Sequence, residues 1–507
     1  MTNADLVLHN ANVLTMANDS SNASIVAIVG ERIAYVGDKK EFRYLVGART
    51  KVIDCQGGTL LPGFHDAHCH LLGLVSKRAA INCEPPAVQS LSELQRTLGE
   101  RAAQVRTGDW IRASGYHEFN LVERRHPTRE ELDLVTPRNP VSISHQSGHA
   151  HVLNTLALEK AGINSGTPDP REGVIERNEN GEPTGLLLEM GPFLDTVIPS
   201  QSLDTLEKTL QEVNRDFLSL GITSIQDATE SNNLVRWEML RRLKSNNSLT
   251  PNLTMMPGLS HLREFQEKGL RFGTETDGVR LGHAKGMLNL TTGAPQPPIE
   301  ELTEMIENAE SAGFPIALHA IEQEAIEIAI NLLERGQKRN LRHRIEHAAE
   351  CPPETLSTLS KIGIGVVAQP GFIYSNGDRY ISEVPAEMQP WLYRMNSLQQ
   401  ALPWVAASSD APVGNLNPML GVYAAITRNT QNGQQIAPEE KITIQEALAL
   451  YTKNAAWATC DEANKGTITA GGVADLVLFS KDPTKANPDE LMKLKIQLTM
   501  VKGQSGM

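Results

Sequence analysis

Leu61-Pro62-Gly63-Phe64-His65-Asp66-Ala67-His68-Cys69-His70 carries more information than any other stretch of this 507-residue chain. His68 and His70 lie two apart in an extended segment, so both side chains leave one face while Cys69 leaves the other. Two imidazoles on one face at the end of a strand suit a borderline divalent cation such as zinc. Taken alone the pair is a weak signal, because His-X-His arises by chance in many chains. Its weight depends on what the rest of the sequence sets beside it.

Working outward, the central region has a regular rhythm. Ile299, Leu302, Ile306 and Ala309 keep helical spacing, Gly313 ends that helix, and an apolar run follows at 314–319. Ile326, Ala329, Ile330 and Leu333 form a second stripe with Gly336 as its stop, and Leu356, Leu359 and Ile362 form a third before Gly363. Helix, glycine and strand in repetition predict βα units on a parallel sheet. Strands are expected at 60–70, 222–227, 253–256, 279–285, 314–319, 343–347, 364–369 and 404–410, the number that closes a (β/α)8 barrel. The stretch between His70 and Ile222 is too long for a connection and reads as an inserted subdomain at about 75–215. Within it Leu91, Leu94 and Leu98 form a helical stripe, 141–144 reads as a strand and Asn180-Gly181 as a turn.

Both ends of the chain are β-like. Short β-branched runs at 6–8, 25–29 and 32–36, with Gly30-Glu31 as a hairpin turn, are answered by runs at 474–479 and 497–501. The expected organisation is a small composite β-sandwich from 1–60 and 456–507, around an α/β body at 61–455 that forms a distorted TIM barrel.

Composition narrows the function classes. Lys plus Arg number 47 against 60 Asp plus Glu, a net charge of -13, which argues against a binder of nucleic-acid backbones. The five cysteines are scattered without a CxxC pair and read as reduced intracellular thiols. No leader-like segment opens the chain, and no run reaches the ~18 apolar residues of a membrane span. A cytoplasmic protein acting on a small molecule, without nucleic-acid or membrane partners, is the expectation.

Three more strand tips give His68 and His70 their meaning. His319 closes 314–319, His347 closes Arg344-Ile345-Glu346-His347, and Asp410 closes Ala406-Ala407-Ser408-Ser409-Asp410. A histidine at one strand end is usually structural. Four histidines and an aspartate at the tips of strands one, five, six and eight point to a metal centre where barrel active sites form. His65, His117, His145, His151 and His283 read as structural or peripheral.

These motifs resemble the metal-dependent amidohydrolase superfamily. His126-Pro127-Thr128-Arg129-Glu130-Glu131-Leu132-Asp133, Gly148-His149, Asn154, Gly185-Leu186-Leu187-Leu188-Glu189 and Asn417-Pro418 are similar to its family 3 branch, typified by N-substituted formamide deformylases. The resemblance runs from Asp5 to about Phe479. It implies one or two divalent ions, Zn2+ foremost with Mn, Fe or Co as alternatives, and assembly into a homo-oligomer. It also implies a carboxylated lysine bridging two metals, here Lys285, with His68 and His70 on one ion and His319 and His347 on the other. After Lys285 the chain departs from the branch, with Gly286-Met287-Leu288-Asn289 in place of a Phe-Ala-Asp-Gly-like run.

The chemistry expected of such a site is hydrolysis of a non-peptide C–N bond in a linear amide, N-acyl or N-formyl compound. Asp410 is the expected ligand and general base, and His149 the expected aid to the developing oxyanion. Lactone, carbamate or cyclic-amide hydrolysis, or decarboxylation, would use the same groups, and a catalytically inactive scaffold is a third reading. Tyr374, Arg379 and Tyr380 after the seventh strand and Trp391, Tyr393 and Arg394 before the eighth suggest a partly apolar substrate with a carboxylate or carbonyl. Tyr116 and His117 are candidates for capping the pocket.

Overall fold

The computed structural model describes residues 3–17, 23–171, 173–199, 202–335 and 341–506. Gly336, expected to stop a helix, lies outside the described residues. The chain is a mixed α/β protein of two units. One takes the described residues up to His70, Gln211–Leu288 and those from Glu300 onward; the other takes Leu71–Leu210 and Asn289–Ile299.

In the first unit, parallel strands run in two sheets. Phe64–Cys69, Ile222–Asp227, Asn252–Met255 and Val279–Leu281 pair side by side in one. Ala284–Gly286, Ile316–Ala320, Arg344–His347, Gly365–Ala368 and Val405–Ala407 pair side by side in the other. Hydrogen bonds link the outer strands of the second sheet to the first: the Lys285 N–H donates to the Pro257 carbonyl at 2.8 Å, and the Asp410 N–H to the His68 carbonyl at 2.9 Å. The helices between strands bury the expected stripes. Leu302, Ile306 and Ala309 are buried in Ile299–Ser311, and Ile326, Ala329, Ile330 and Leu333 in Gln323–Arg335. Pro353–Ile362 ends at Gly363, whose φ of 71° is the left-handed cap that glycine adopts without steric cost.

Two expected strands are each broken in two. The run at 60–70 divides at Gly63 into Thr59–Pro62 and Phe64–Cys69, which belong to different sheets. The Gly63 N–H donates to the Asp475 carbonyl and the next N–H, of Phe64, to the Gly221 carbonyl, so the chain changes partners within one residue. A Cβ at Gly63 would lie 2.2 Å from the Thr223 side chain, which is why only glycine fits the crossing. The run at 279–285 is likewise interrupted, at Gly282-His283, leaving Lys285 at the centre of the short strand Ala284–Gly286.

Strands from the two chain ends also pair in this unit. Thr59–Pro62 lies antiparallel to Leu476–Phe479, which pairs in turn with Ile496–Val501. Leu6–His9, Ile25–Val29, Arg32–Gly37 and Lys51–Asp54 form a second sheet. Leu8, Val26, Leu60, Leu476, Leu478 and Met500 are buried together in one cluster.

The second unit is built on a six-stranded mixed sheet containing Ile81–Asn82, Ile111–Tyr116, Val141–His145, Ala150–Leu153, Pro183–Leu188 and Val174–Arg177. The helix Leu91–Ala102 covers it with Leu91, Leu94 and Leu98, the residues of the expected stripe.

Candidate metal centre at the strand ends

The parallel strands of the first unit bring together residues far apart in sequence. His68 leaves the Phe64–Cys69 strand, His70 follows it, and Asp410 lies three residues past Val405–Ala407. Asp410 Oδ1 is 3.1 Å from His70 Nε2 and 3.4 Å from His68 Nε2. One donor atom from each of the three lies within 4.8 Å of the others. The His347 ring centroid is 5.0 Å from that of His68 and 4.5 Å from that of His319. His68, His70, His319, His347 and Asp410 therefore form one contiguous group, with His68 and His347 fully buried.

The other ring nitrogens are already held. His68 Nδ1 lies 2.5 Å from Glu346 Oε2, His70 Nδ1 is 3.0 Å from Thr229 Oγ1, and His347 Nδ1 is 2.8 Å from Gln369 Oε1. Nδ1 partners fix ring orientation and direct Nε2 inward, the arrangement by which proteins prepare imidazoles for a cation. His347 Nε2 is buried and has no hydrogen-bond partner. A buried lone pair without a donor is costly unless something electrophilic meets it.

Glu346 is the residue that sequence reasoning missed. It occupies a central position of the quoted Arg344-Ile345-Glu346-His347 run, yet only His347 was singled out. Neighbours in sequence along a strand face opposite ways, so a His-directed reading passes over the residue beside it. Its other oxygen, Oε1, accepts from Arg344 Nε at 2.5 Å, and Arg344 further donates to the carbonyls of Ala458 and Ala67. Thr229 and Gln369 were also missed; no spacing in the sequence connects them with the histidines they hold.

Electrostatics agree with this division of roles. Burial raises the Glu346 carboxyl, but Arg344 and His68 outweigh it and hold the group far below the usual carboxylate range. Burial likewise opposes ionisation of Asp410, and His70, His347 and His68 together keep it ionised. Burial brings His347 down to about 3 and lowers His68, leaving both neutral and able to donate lone pairs. His70 moves up despite burial, because it contacts Asp410.

Lys285 is fully buried and its Nζ has no hydrogen-bond partner. Burial lowers its affinity for a proton, and Glu346, Glu230 and Asp410 only partly restore it. The centre also carries backbone strain: His347 and Asp410 have φ of 73° and 54°. Such conformations cost non-glycine residues about 1–3 kcal/mol and gather where function requires a side chain to be aimed.

Other expected contributors have partners of their own. His149 belongs to the second unit, where its Nδ1 is 3.0 Å from Glu189 Oε2. Tyr374, Arg379 and Tyr380 fall on the helix Gly371–Glu383 rather than in a loop. Arg379 pairs with Glu383 at 3.0 Å while its buried Nε has no hydrogen-bond partner, and Arg394 pairs with Glu440 at 3.3 Å. Tyr380 stacks on buried Tyr393.

Residues 51–505 match the model of the amidohydrolase family. N-substituted formamide deformylase of Arthrobacter pascens is 29% identical over 98% of this chain and 97% of its own length. Among solved structures, a metal-dependent hydrolase of Pyrococcus horikoshii OT3 superposes with a TM-score of 0.76 at 23% identity, covering 96% of this chain and 99% of that one. Atrazine chlorohydrolase of Arthrobacter aurescens TC1, complexed with zinc, superposes at 0.54 with 14% identity, over 99% and 94% of the two chains. The chain therefore belongs to the amidohydrolase family, hydrolases acting on carbon–nitrogen bonds other than peptide bonds.

Proposed function

We propose that this amidohydrolase cleaves a linear amide or an N-acyl or N-formyl compound, using a metal centre at the mouth of a distorted (β/α)8 barrel. The observation that carries the reading is the convergence of His68 Nε2, His70 Nε2 and Asp410 Oδ1, with the Nδ1 of His68, His70 and His347 each held from behind. The donor set fits a borderline divalent ion, zinc or a close relative: four imidazoles, of which burial lowers His68 and His347, one ionised carboxylate and an orphaned buried Nε2 on His347. His68 and His70 would hold one ion and His319 and His347 another. Lys285 would bridge them as its carbamate, formed when the unprotonated amine adds to carbon dioxide and releases a proton. An ammonium could not ligate, and its buried, partnerless Nζ favours the neutral amine.

A bound divalent ion supplies Lewis acidity, which acidifies water and polarises a carbonyl oxygen. Asp410, ionised and strained toward the histidines, takes the proton from the attacking water. It returns that proton to the amide nitrogen as the C–N bond breaks, so amide and water give acid and amine. Arg344 and Glu346 hold His68 still throughout. The full reading includes a composite β-sandwich at 1–60 and 456–507, supported by the shared sheet of both chain ends, and an insertion at about 75–215. It places the protein in the cytoplasm as a homo-oligomer; the first rests on its free cysteines and the second on the family resemblance. Among the described residues no helix is long and apolar enough to cross a membrane.

The test is amine release from a panel of N-substituted formamides and N-acyl amines, run beside lactones, carbamates and cyclic amides. Turnover of linear amides with equimolar amine and acid is expected; turnover confined to lactones or cyclic amides would replace the proposal with that alternative.

A further inference from the structure

A second cluster of donors lies in the Leu71–Leu210 unit, made of histidines that the sequence alone gives no reason to combine. The strands Ile111–Tyr116 and Val141–His145 run parallel, with His145 opposite Tyr116. The chain leaving the first strand continues as His117-Glu118, so parallel pairing sets an imidazole and a carboxylate beside the imidazole that ends its neighbour. Glu118 Oε2 is 2.9 Å from His145 Nε2, 3.4 Å from His117 Nδ1 and 3.8 Å from His126 Nδ1. The His117 and His145 rings are 4.4 Å apart between centroids.

The 2.9 Å approach has an unusual character. Glu118 Oε2 and His145 Nε2 are both buried, and neither has a partner in hydrogen-bond geometry, each other included. Buried polar atoms left so are expected to meet water or an ion. The far side of the His145 ring is anchored, with Nδ1 2.7 Å from Ser147 Oγ, whereas His117 Nδ1 accepts from the Phe119 N–H at 3.1 Å, which leaves Nε2 as its ligand atom. The Tyr116 hydroxyl contacts His126 Nδ1 at 2.9 Å. An anchored outer nitrogen, as on His145, is the mark of a prepared ligand. A tetrahedral ion with bonds of about 2.0–2.2 Å sets its ligands about 3.3 Å apart, and one donor atom each from His117, Glu118 and His145 lies within 4.8 Å of the others.

We propose that His117, Glu118 and His145, with His126 beside them, form a separate divalent-metal site in this unit. Two imidazoles with one carboxylate select a first-row transition ion of the Zn2+ or Co2+ type over Mg2+ or Ca2+. The site ties the ends of two parallel strands to the segment between them and His126. His117 is thereby a ligand candidate rather than a pocket cap.

The test is Co2+ titration of the chelator-treated full-length chain, followed by visible absorption and by bound metal per chain, in the wild type and in His145→Ala and Glu118→Gln. Each folded variant is expected to bind about one equivalent fewer than the wild type, consistent with a three-ligand site losing a ligand. Equal stoichiometry in a variant with wild-type circular dichroism would overturn the proposal and leave Glu118 an ion-pair partner of the histidines. Glu118→Gln preserves size and is read if His145→Ala does not fold. Wild-type crystals grown with Zn2+ give an independent answer: an anomalous peak within about 2.2 Å of a His145 ring nitrogen is expected, and its absence contradicts the site.

Discussion

Asp410 and Glu346 are both buried carboxylates contacting histidines, and their surroundings separate their tasks. Asp410 touches His68 and His70 on the Nε2 side, whereas Glu346 touches His68 on the Nδ1 side and is neutralised by Arg344. Asp410→Asn keeps the volume and removes the proposed base, so hydrolysis should fall by about 10²–10⁴-fold while the thermal melt is retained. An unchanged rate of amine release would exclude Asp410 as the base. Glu346→Gln loosens the hold on His68 without touching substrate, and metal affinity should weaken by about 10–100-fold. Competition with a coloured chelator measures that, and wild-type affinity would show that the contact is merely structural. The histidines and Asp410 were legible because chemistry-bearing residues at polar strand tips stand out from apolar runs. Thr229 and Gln369 were not, since an orienting partner needs only to reach one nitrogen, and many residue types can do so from anywhere the fold permits.

At the scale of elements, strand positions were legible to within a few residues where an apolar run was bounded by glycine and a polar tip. Ile222–Asp227 and Arg344–His347 are examples. Breaks inside apolar runs were not legible. Nothing local distinguishes a strand that continues through Gly63 from one that changes sheets there, because the deciding contact is with Thr223, distant in sequence. Gly63→Ala forces its Cβ against that side chain and should destabilise the chain by about 1–3 kcal/mol in urea unfolding. Thr223→Ala in the same chain should recover part of the loss; no recovery would place the strain elsewhere.

For the whole molecule, the pairing of the two chain ends was suggested by similar β-branched runs, since strands at both termini need edges to pair with. What sequence could not supply was the order, in which Leu476–Phe479 inserts beside Thr59–Pro62. Ending the chain at Asp475 would remove Leu476, Val477, Leu478, Phe479 and Met500, all buried. Each such side chain contributes about 1.5–3 kcal/mol, and the loss rivals a typical total stability of about 5–15 kcal/mol. The truncated chain should therefore be insoluble, whereas a soluble product with native circular dichroism would show that the terminal strands are dispensable.

The central claim is that the histidines at the strand ends hold a divalent ion on which hydrolysis depends. Its most direct test pairs elemental analysis with amine release on the wild type and His68→Ala, purified without chelator and with bicarbonate present. Folded His68→Ala is expected to lose at least about one equivalent of metal per chain together with its activity, as removal of a ligand from an open catalytic site should. Wild-type metal content, or wild-type turnover, in that variant would contradict it.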